Sequence, residues 1–318
     1  MADPERAGTT RLDVLLAAHN GERFIAEQIE SVLRQSDTDW FLRIRDDCST
    51  DATLAIALDY ARRHPDRISV EQRHENSGSA RQNFLEMLSA SRAPFVMFCD
   101  HDDVWHEDKI ALTRAKMQTL EAEWGADVPL LVHTDLVVTD AALRVVAPSM
   151  MRAQQLDGSQ SRLPRLLAQN VVTGCTVMVN RPLIDLADEP YDDVVMHDWW
   201  LALIAAAFGH IGFVDVPTVL YRQHGANVVG ARPSRSPAYK IGRLLDRRGV
   251  TRSLRDSVAQ AAAFLSHFGA RLEPEQVEML QAFASIPQLG KPARIAVLRR
   301  HDLWKNTLVR RVGQLLYV

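Results

Sequence analysis

Three carboxylates within four residues are the most chemically informative feature of this 318-residue chain. Asp100, Asp102 and Asp103 follow Phe95–Cys99, a short apolar run typical of a buried strand. Clustered carboxylates repel one another and need a cation or hydrogen-bond donors nearby. Mg²⁺ often binds one or two carboxylates together with substrate phosphates. The pattern therefore indicates either a metal–phosphate site at the carboxyl end of a strand or a solvated acidic turn that caps the next helix.

Two earlier predicted strands also end in polar side chains. Arg11–Ala18 leads directly into the sequence His19-Asn20-Gly21-Glu22, and Trp40–Ile44 leads into Arg45-Asp46-Asp47. Parallel strands share one carboxyl edge, so we expect these groups and the three aspartates to meet in one crevice.

Strand patterns alternate with helical ones over the first half of the chain, which predicts an α/β fold with a largely parallel sheet. Further along, the residue patterns predict a helix over Trp105–Glu123, a strand over Asn170–Val179, a core helix and turn over Trp199–Val214 and a last strand over Val219–His224. A single glycine, Gly21, follows the first strand, which disfavours a dinucleotide-binding dehydrogenase.

Composition is that of an ordinary globular protein, with 47% hydrophobic and 24% charged residues. The three cysteines are far apart, which disfavours a disulfide framework or a zinc site and fits a reducing, cytoplasmic compartment. Met1–Arg11 has no apolar core of the secretory type.

Charge is distributed unevenly. From Arg232 to Val318 there are 16 Lys and Arg residues against 6 Asp and Glu, a formal charge of +10. Apolar residues interleave with these cations at helical spacing, and Trp304 lies among them. The pattern is typical of basic amphipathic helices that bind an anionic membrane surface; the alternatives are a helical pair packed on the catalytic domain or a homodimer contact. Nucleic-acid binding is disfavoured because no reading module accompanies the charge.

Six motifs in order resemble the family 2 glycosyltransferases, in particular the rhamnosyltransferase-like group that builds bacterial surface polysaccharide. They are Ala18-His19-Asn20-Gly21, Asp46-Asp47-Cys48-Ser49-Thr50-Asp51, Asp100-His101-Asp102-Asp103-Val104-Trp105, Thr173-Gly174-Cys175-Thr176, His197-Asp198-Trp199-Trp200 and Tyr221-Arg222-Gln223-His224-Gly225. The resemblance spans residues 11–231. It implies a GT-A fold, a Rossmann-like and mostly parallel central sheet flanked by helices, with a catalytic domain over 1–231 and a basic, mainly helical extension over 232–318.

The resemblance also implies how the donor is held. Asp102, with Asp100 and His224, would bind Mg²⁺ or Mn²⁺, although His224 could equally be a structural histidine. The residues implied for nucleotide-sugar binding are Ala18, Asn20, Glu22, Asp46, Asp47, Arg81, Asp100 and His101. Arg81 has the alternative of a solvated arginine on a helix face.

Inversion at the anomeric carbon requires one general base, and Asp198 occupies the family's catalytic position. Burial beside Trp199 and Trp200 would raise its pKa, whereas a helix N-terminus would lower it. Asp192 and Asp193 are the second choices for the base, with a solvated loop as the alternative. The residues expected near the acceptor or sugar are Asp103, Trp105, Thr173, Gly174, His197 and Trp199.

The predicted function is thus inverting, metal-dependent transfer of a sugar from a dTDP- or UDP-sugar to a saccharide or lipid-linked acceptor at the inner face of the cell membrane. One alternative is a catalytically silent nucleotide-sugar binder or scaffold of the same pathway. Another, a nucleotidyltransferase, is disfavoured because the chain has no glycine-rich phosphate loop near its start.

Overall fold

A computed structural model describes residues 12–188, 194–224 and 247–318. The predicted domain boundary at 231 and the two alternative bases, Asp192 and Asp193, lie outside these residues.

Strands and helices alternate through the first half of the described chain, as the sequence predicts. The strands are β1 Leu12–Ala18, β2 Phe41–Asp46, β3 Ile68–Gln72, β4 Phe95–Asp100, β5 Val104–Trp105, β6 Leu130–Asp140, β7 Val145–Ala147, β8 Met178–Asn180 and β9 His210–Gln223. The helices are α1 Ile25–Leu33, α2 Thr53–Arg63, α3 Ala80–Ala90, α4 Lys109–Trp124, α5 Met150–Gln154, α6 Leu163–Ala168, α7 Arg181–Leu186, α8 His197–Phe208, α9 Arg247–Phe268, α10 Pro274–Ala284, α11 Lys291–Arg300 and α12 Leu308–Tyr317.

One sheet of the described residues runs in the order β3-β2-β1-β4-β8-β6-β9-β5, with β7 paired to β6. The β3, β2, β1 and β4 strands are parallel, which confirms the prediction for the first half. The β8 strand is antiparallel to both β4 and β6, whereas β9 runs parallel to β6. This mixed half carries the site residues that come late in the sequence.

Helices cover both faces of the sheet, and the two faces draw on alternate residues of each central strand. In β1, for example, Leu15 and Ala17 belong to one core, whereas Leu12, Val14 and Leu16 belong to the other. Burial on both faces explains why β1 and β4 are nearly continuous apolar runs.

Two local predictions are wrong. Val104 and Trp105 form a short strand antiparallel to β9, and the helix predicted from Trp105 begins only at Lys109. Of the strand predicted over Asn170–Val179, only the end is extended, as β8, and a 3₁₀ turn at Gly174–Thr176 precedes it. Thr173 and Gly174 therefore sit in a turn, where the backbone can meet the start of α8.

The described C-terminal helices pack on the rest of the protein through α8. Trp200 of α8 meets Phe264 and Phe268 of α9 at ring-centroid distances of 5.3 and 5.7 Å, and all three belong to one core. Of the helices in the described ranges, none combines the length and apolar character that crossing a bilayer requires.

Candidate active site

The parallel register of β2, β1 and β4 places Asp46 and Asp100 at the same edge of the sheet. Ala18 of β1 pairs with Asp46 of β2, and Ala17 pairs with Asp100 of β4. Asp46 and Asp100 therefore lie on either side of the end of β1. The predicted convergence at one carboxyl edge is present in the structure.

The loop after β1 is held by the loop after β2. The side-chain oxygen of Asn20 accepts a hydrogen bond from the Thr50 nitrogen at 2.8 Å, and the Glu22 carboxylate accepts one from the Ala52 nitrogen at 3.0 Å. Asn20 has a positive φ of 49°, which fits a turn residue. Both side chains, predicted to contact the nucleoside, here bind protein backbone, so they shape the loop that would surround it.

Asp46 and Asp47 have different environments. Asp46 is fully buried; its Oδ2 accepts from the Ser49 nitrogen at 3.0 Å, whereas its Oδ1 has no partner among the described residues. Both oxygens of Asp47 are used by Ser77, whose nitrogen and hydroxyl donate to them at 2.7 and 2.6 Å. Asp46 thus has a buried acceptor without a partner among the described residues, and Asp47 fixes the loop before α3.

Arg81 is not a solvated helix-face residue. It is half-buried, and its guanidinium donates to the carbonyl oxygen of Val194, in the segment that leads into α8. This arginine therefore links α3 to the element that carries Asp198.

The carboxylates after β4 form a strongly interacting group. Burial, followed by the charges of Asp102 and Asp198, raises the pKa of Asp100 to about 7. Burial, followed by the charges of Asp100 and Asp102, raises the pKa of Asp103 well above its ordinary value. Nε2 of His224 lies 2.8 Å from Oδ2 of Asp102. Asp102 and His224, far apart in sequence, can therefore bind one ion together.

Asp103 is held inside the protein. It is completely buried, and its Oδ1 accepts a hydrogen bond from the Arg222 nitrogen at 3.0 Å. One oxygen of Asp103, one of Asp100 and Sγ of Cys175 lie within 4.8 Å of one another. Burial raises the pKa of the Cys175 thiol well above its usual range, so this sulfur is poorly suited to bind a hard cation.

Arg222 joins three parts of the site. Its Nε donates to the carbonyl oxygen of Asp102 at 2.8 Å and its Nη1 to that of Ala141 at 2.8 Å. Its Nη2 donates to the carboxylate of Glu27, in the first turn of α1. The guanidinium also lies over the ring of Phe24, which stacks on His224 with centroids 4.9 Å apart. The end of β9 is thereby fixed to the loop that contains Asp102 and Asp103.

Asp198 lies in the first turn of α8 and is buried. Its Oδ1 accepts from the Trp199 nitrogen at 2.6 Å and its Oδ2 from the Gly174 nitrogen at 3.0 Å. Burial raises the pKa of Asp198 to about 6, although these backbone donors act in the opposite direction. Burial raises the pKa of Asp198 by more than the donors at the start of α8 lower it. The carboxylate is therefore closer to the range of an effective base.

Trp105, His197 and Trp199, three of the residues expected near the acceptor or sugar, are packed inside the protein, and so is Trp200. Trp105 is 2% exposed, with Lys109 Nζ 4.7 Å from its ring centroid. Trp199 is 8% exposed and donates through Nε1 to the Leu166 carbonyl at 2.8 Å, and Trp200 is completely buried. His197 packs on Phe84. In this structure these aromatic residues support the site and have no open face for a sugar.

Gly21 and Gly174 each allow a histidine ring to lie directly against the backbone. A Cβ on Gly21 would lie 2.2 Å from the ring of His101, and one on Gly174 would lie 2.8 Å from Nε2 of His197. His101 accordingly covers the β1 loop, with its Nδ1 3.3 Å from the Ala17 carbonyl. Thr173, next to Gly174, is half-buried.

Sequence reasoning assigned no role to Phe24, Glu27, Cys175 or the Arg222 side chain. Phe24 and Glu27 lie at the start of an amphipathic helix, where an aromatic and an acidic residue are ordinary. Arg222 stands in a recognised motif, and its charge beside an acidic cluster was the one available signal.

Known proteins share both the sequence pattern and the fold. Residues 13–126 match the model of Glycosyl transferase family 2. The dTDP-rhamnosyl transferase RfbG of Shigella flexneri is 29% identical over 237 residues, which cover 71% of this chain and 77% of RfbG. The S. aureus TarS fragment 1–349 superposes with a TM-score of 0.56 and 17% identity over 96% of this chain and 88% of that one. The mannosyltransferase PcManGT from Pyrobaculum calidifontis, in complex with GDP-Man and Mn²⁺, superposes with a TM-score of 0.50 and 17% identity over 97% of this chain and 84% of that one.

Residues 13–126 thus form a family 2 glycosyltransferase domain, and the chain shares the GT-A fold of these solved structures, with helices added at its C-terminal end.

Proposed function

We propose that this enzyme transfers a sugar, with inversion, from a nucleoside diphosphate donor to a saccharide or lipid-linked saccharide of a surface polysaccharide. The observation that carries the proposal is the grouping of Asp100, Asp102 and Asp198, in which burial, followed by the charges of Asp102 and Asp198, raises the pKa of Asp100 to about 7. A folded protein does not gain stability from crowding three carboxylates, so the arrangement is best explained by its ligands.

Asp102, Asp100 and His224 are the proposed ligands of Mg²⁺ or Mn²⁺. The oxygen donors suit hard cations, and the hydrogen bond between His224 and Asp102 places an imidazole nitrogen beside a carboxylate oxygen. A bound cation would stabilise the negative charge that develops on the departing diphosphate. The role of the chain itself is to hold these donors in place, through Arg222 and the buried Asp103.

The nucleoside is proposed to bind at the ends of β1 and β2. Asp46 Oδ1 is buried and has no partner among the described residues, so a base N–H donor would relieve an unpaired acceptor. A uracil or thymine ring offers such a donor, which agrees with a UDP- or dTDP-sugar. RfbG is described as a dTDP-rhamnosyl transferase, and rhamnose is accordingly the first sugar to test.

Asp198 is the proposed general base. The acceptor hydroxyl oxygen forms a bond to the anomeric carbon, its proton passes to Asp198, and the bond from that carbon to the diphosphate oxygen breaks on the opposite face. The N–H groups of Gly174 and Trp199 hold the carboxylate in one orientation, while burial maintains a pKa of about 6. Attack from the face opposite the leaving group gives inversion.

The activity is tested by measuring nucleoside diphosphate release from a panel of donors that includes dTDP-rhamnose and UDP-sugars. Each donor is assayed with Mg²⁺, with Mn²⁺ and with a chelator, in the presence of saccharide and lipid-linked acceptors. Turnover of one donor, abolished by the chelator, is the expected result, and NMR of the product should show the opposite anomeric configuration to the donor. Metal-dependent binding without turnover of any donor would instead support the silent nucleotide-sugar binder.

A further inference from the structure

The last described helix, α12, has its apolar side facing solvent. Leu308, Val312 and Leu316 recur every four residues and so lie on one side of the helix. Their exposed fractions are 77%, 38% and 52%. Single exposed aliphatic residues are ordinary on protein surfaces, but a continuous row along one helix is a contact surface in need of a partner.

The opposite side of α12 is polar and packs inward. Gln314 is completely buried; its Nε2 donates to the Leu303 carbonyl at 2.9 Å, and its Oε1 accepts from the Lys305 nitrogen at 3.3 Å. This polarity is the reverse of that expected for a surface helix of a globular protein. The hydrogen bonds of Gln314 fix the helix in the orientation that exposes its leucines.

Cations are concentrated in the segment that carries the exposed row, although Lys305 is buried and Arg300 pairs with Glu278. Lys291–Val318 contains 7 Lys and Arg residues against a single acid, Asp302. Asp302 is itself paired with Arg162 and Arg165 of the catalytic domain, at 2.8 and 2.7 Å. Lys291 donates to the carbonyl of Leu316 at 2.9 Å, so its ammonium group lies at the end of the row. An occupant with apolar and anionic parts fits this surface.

We propose that α12 lies in the interface of an anionic lipid bilayer, with Leu308, Val312 and Leu316 among the acyl chains and the exposed Lys291 and Arg299 of α11 against the headgroups. Helices with apolar and basic faces bind membranes in this way, and each exposed Lys or Arg strengthens the attraction to anionic lipid. A second protein chain would have to supply an apolar face and a strongly acidic rim together. The inference deepens the proposed function, since a lipid-linked acceptor resides at a membrane.

The test is flotation of the full chain with vesicles of phosphatidylcholine alone, or of phosphatidylcholine with about 30 mol% phosphatidylglycerol. Binding to the anionic vesicles only, weakened at 1 M salt where the screening length is about 3 Å, is the expected result. The triple variant Leu308→Gln, Val312→Gln, Leu316→Gln should bind at least about tenfold more weakly. Lys291→Gln combined with Arg299→Gln should weaken binding by about fivefold per charge while retaining the apolar row.

The matched control is Leu58→Gln combined with Val145→Gln, because these aliphatic side chains are 45% and 62% exposed at other places on the surface. This control should bind vesicles like the parent. Absence of vesicle binding by the parent, or equal binding by the triple variant, would overturn the proposal. So would a dimer that the triple variant abolishes in the absence of lipid, because the row would then bind a second copy. Donor turnover is measured separately on the triple variant and should be unchanged, which keeps a failure of the membrane proposal distinct from a failure of the enzymatic one.

Discussion

The Gly174 nitrogen donates a hydrogen bond of 3.0 Å to Oδ2 of Asp198, and on its other side the Gly174 α-carbon faces the ring of His197. The 3₁₀ turn that begins at Gly174 is therefore held between two consecutive residues of α8. This contact fixes the direction of the proposed base.

Gly174→Ala should reduce kcat by about 100-fold with little change in donor binding. The Cβ of the new alanine would lie 2.8 Å from Nε2 of the buried His197, and relieving that contact would move the turn away from Asp198. Gly290→Ala is the control, since a Cβ there meets nothing within 4 Å. Steady-state kinetics, with donor affinity from calorimetry, separates the two effects. Equal behaviour of the two variants would show that the contact does not position the base.

The pH profile should report Asp198. Its pKa is raised to about 6 by burial, and a base acts only when deprotonated, so kcat should be constant above about pH 7 and fall as the pH drops through about 6. The profile is measured with saturating donor and metal, since Asp100 also titrates nearby when no cation is bound. A kcat that is unchanged between pH 5 and 8 would argue against Asp198.

His224→Gln should weaken Mn²⁺ binding by roughly 10- to 100-fold, because it removes the imidazole beside Asp102. The matched control is His210→Gln at the opposite end of the same strand, where the ring stacks on Trp124. Titration of Mn²⁺ in the presence of a nucleoside diphosphate measures the affinity. If both variants bind Mn²⁺ like the parent, His224 is a structural residue.

Arg222→Met should lower the free energy of unfolding by about 3 kcal/mol, because the Asp102 and Ala141 carbonyls and the Glu27 carboxylate lose a buried donor together. It should also weaken metal-dependent donor binding, since Asp102 is then less well fixed. Arg144→Met, which removes an exposed pair with Asp140, should cost less than about 1 kcal/mol. Urea unfolding with and without Mn²⁺ and donor checks both effects; a loss of stability without any loss of metal-dependent binding would limit Arg222 to a folding role.

His133 should contribute to acid sensitivity. It is completely buried, its Nε2 lies 2.9 Å from the Gly158 carbonyl oxygen, and burial lowers its pKa from 6.5 to about 4. In the unfolded chain this histidine takes up a proton below about pH 6.5, whereas in the folded protein it stays neutral down to about 4, so stability falls across that window as the pH falls. The total effect is about 3 kcal/mol. His133→Gln should flatten this part of the stability curve in urea titrations at pH 7 and pH 4.5, and a curve as steep as that of the parent would contradict the assignment.

The first half of the fold could be predicted because β1, β2 and β4 are buried on both faces and end in polar residues, a pattern that local sequence carries. In the second half the core helix α8 and the end of β9 were also predicted, but the strand pairing could not be, because β5 and β8 contain only two and three residues and pair with distant strands. Distance along the chain also explains why the contacts of Asn20 and Glu22 were not predicted, since their side chains bind a loop about 30 positions away. Arg222 shows the limit most clearly, since its contact to Glu27 joins residues 195 positions apart.

The central claim is that Asp198 accepts the acceptor proton in a metal-dependent sugar transfer. The most direct measurement compares the parent with Asp198→Asn for transfer from dTDP-rhamnose and UDP-sugars, with Mn²⁺ and with a chelator, alongside donor binding. The account predicts chelator-sensitive transfer from one donor by the parent, and a kcat at least about 1,000-fold lower in the variant while the donor still binds. Transfer by Asp198→Asn at the rate of the parent would contradict it.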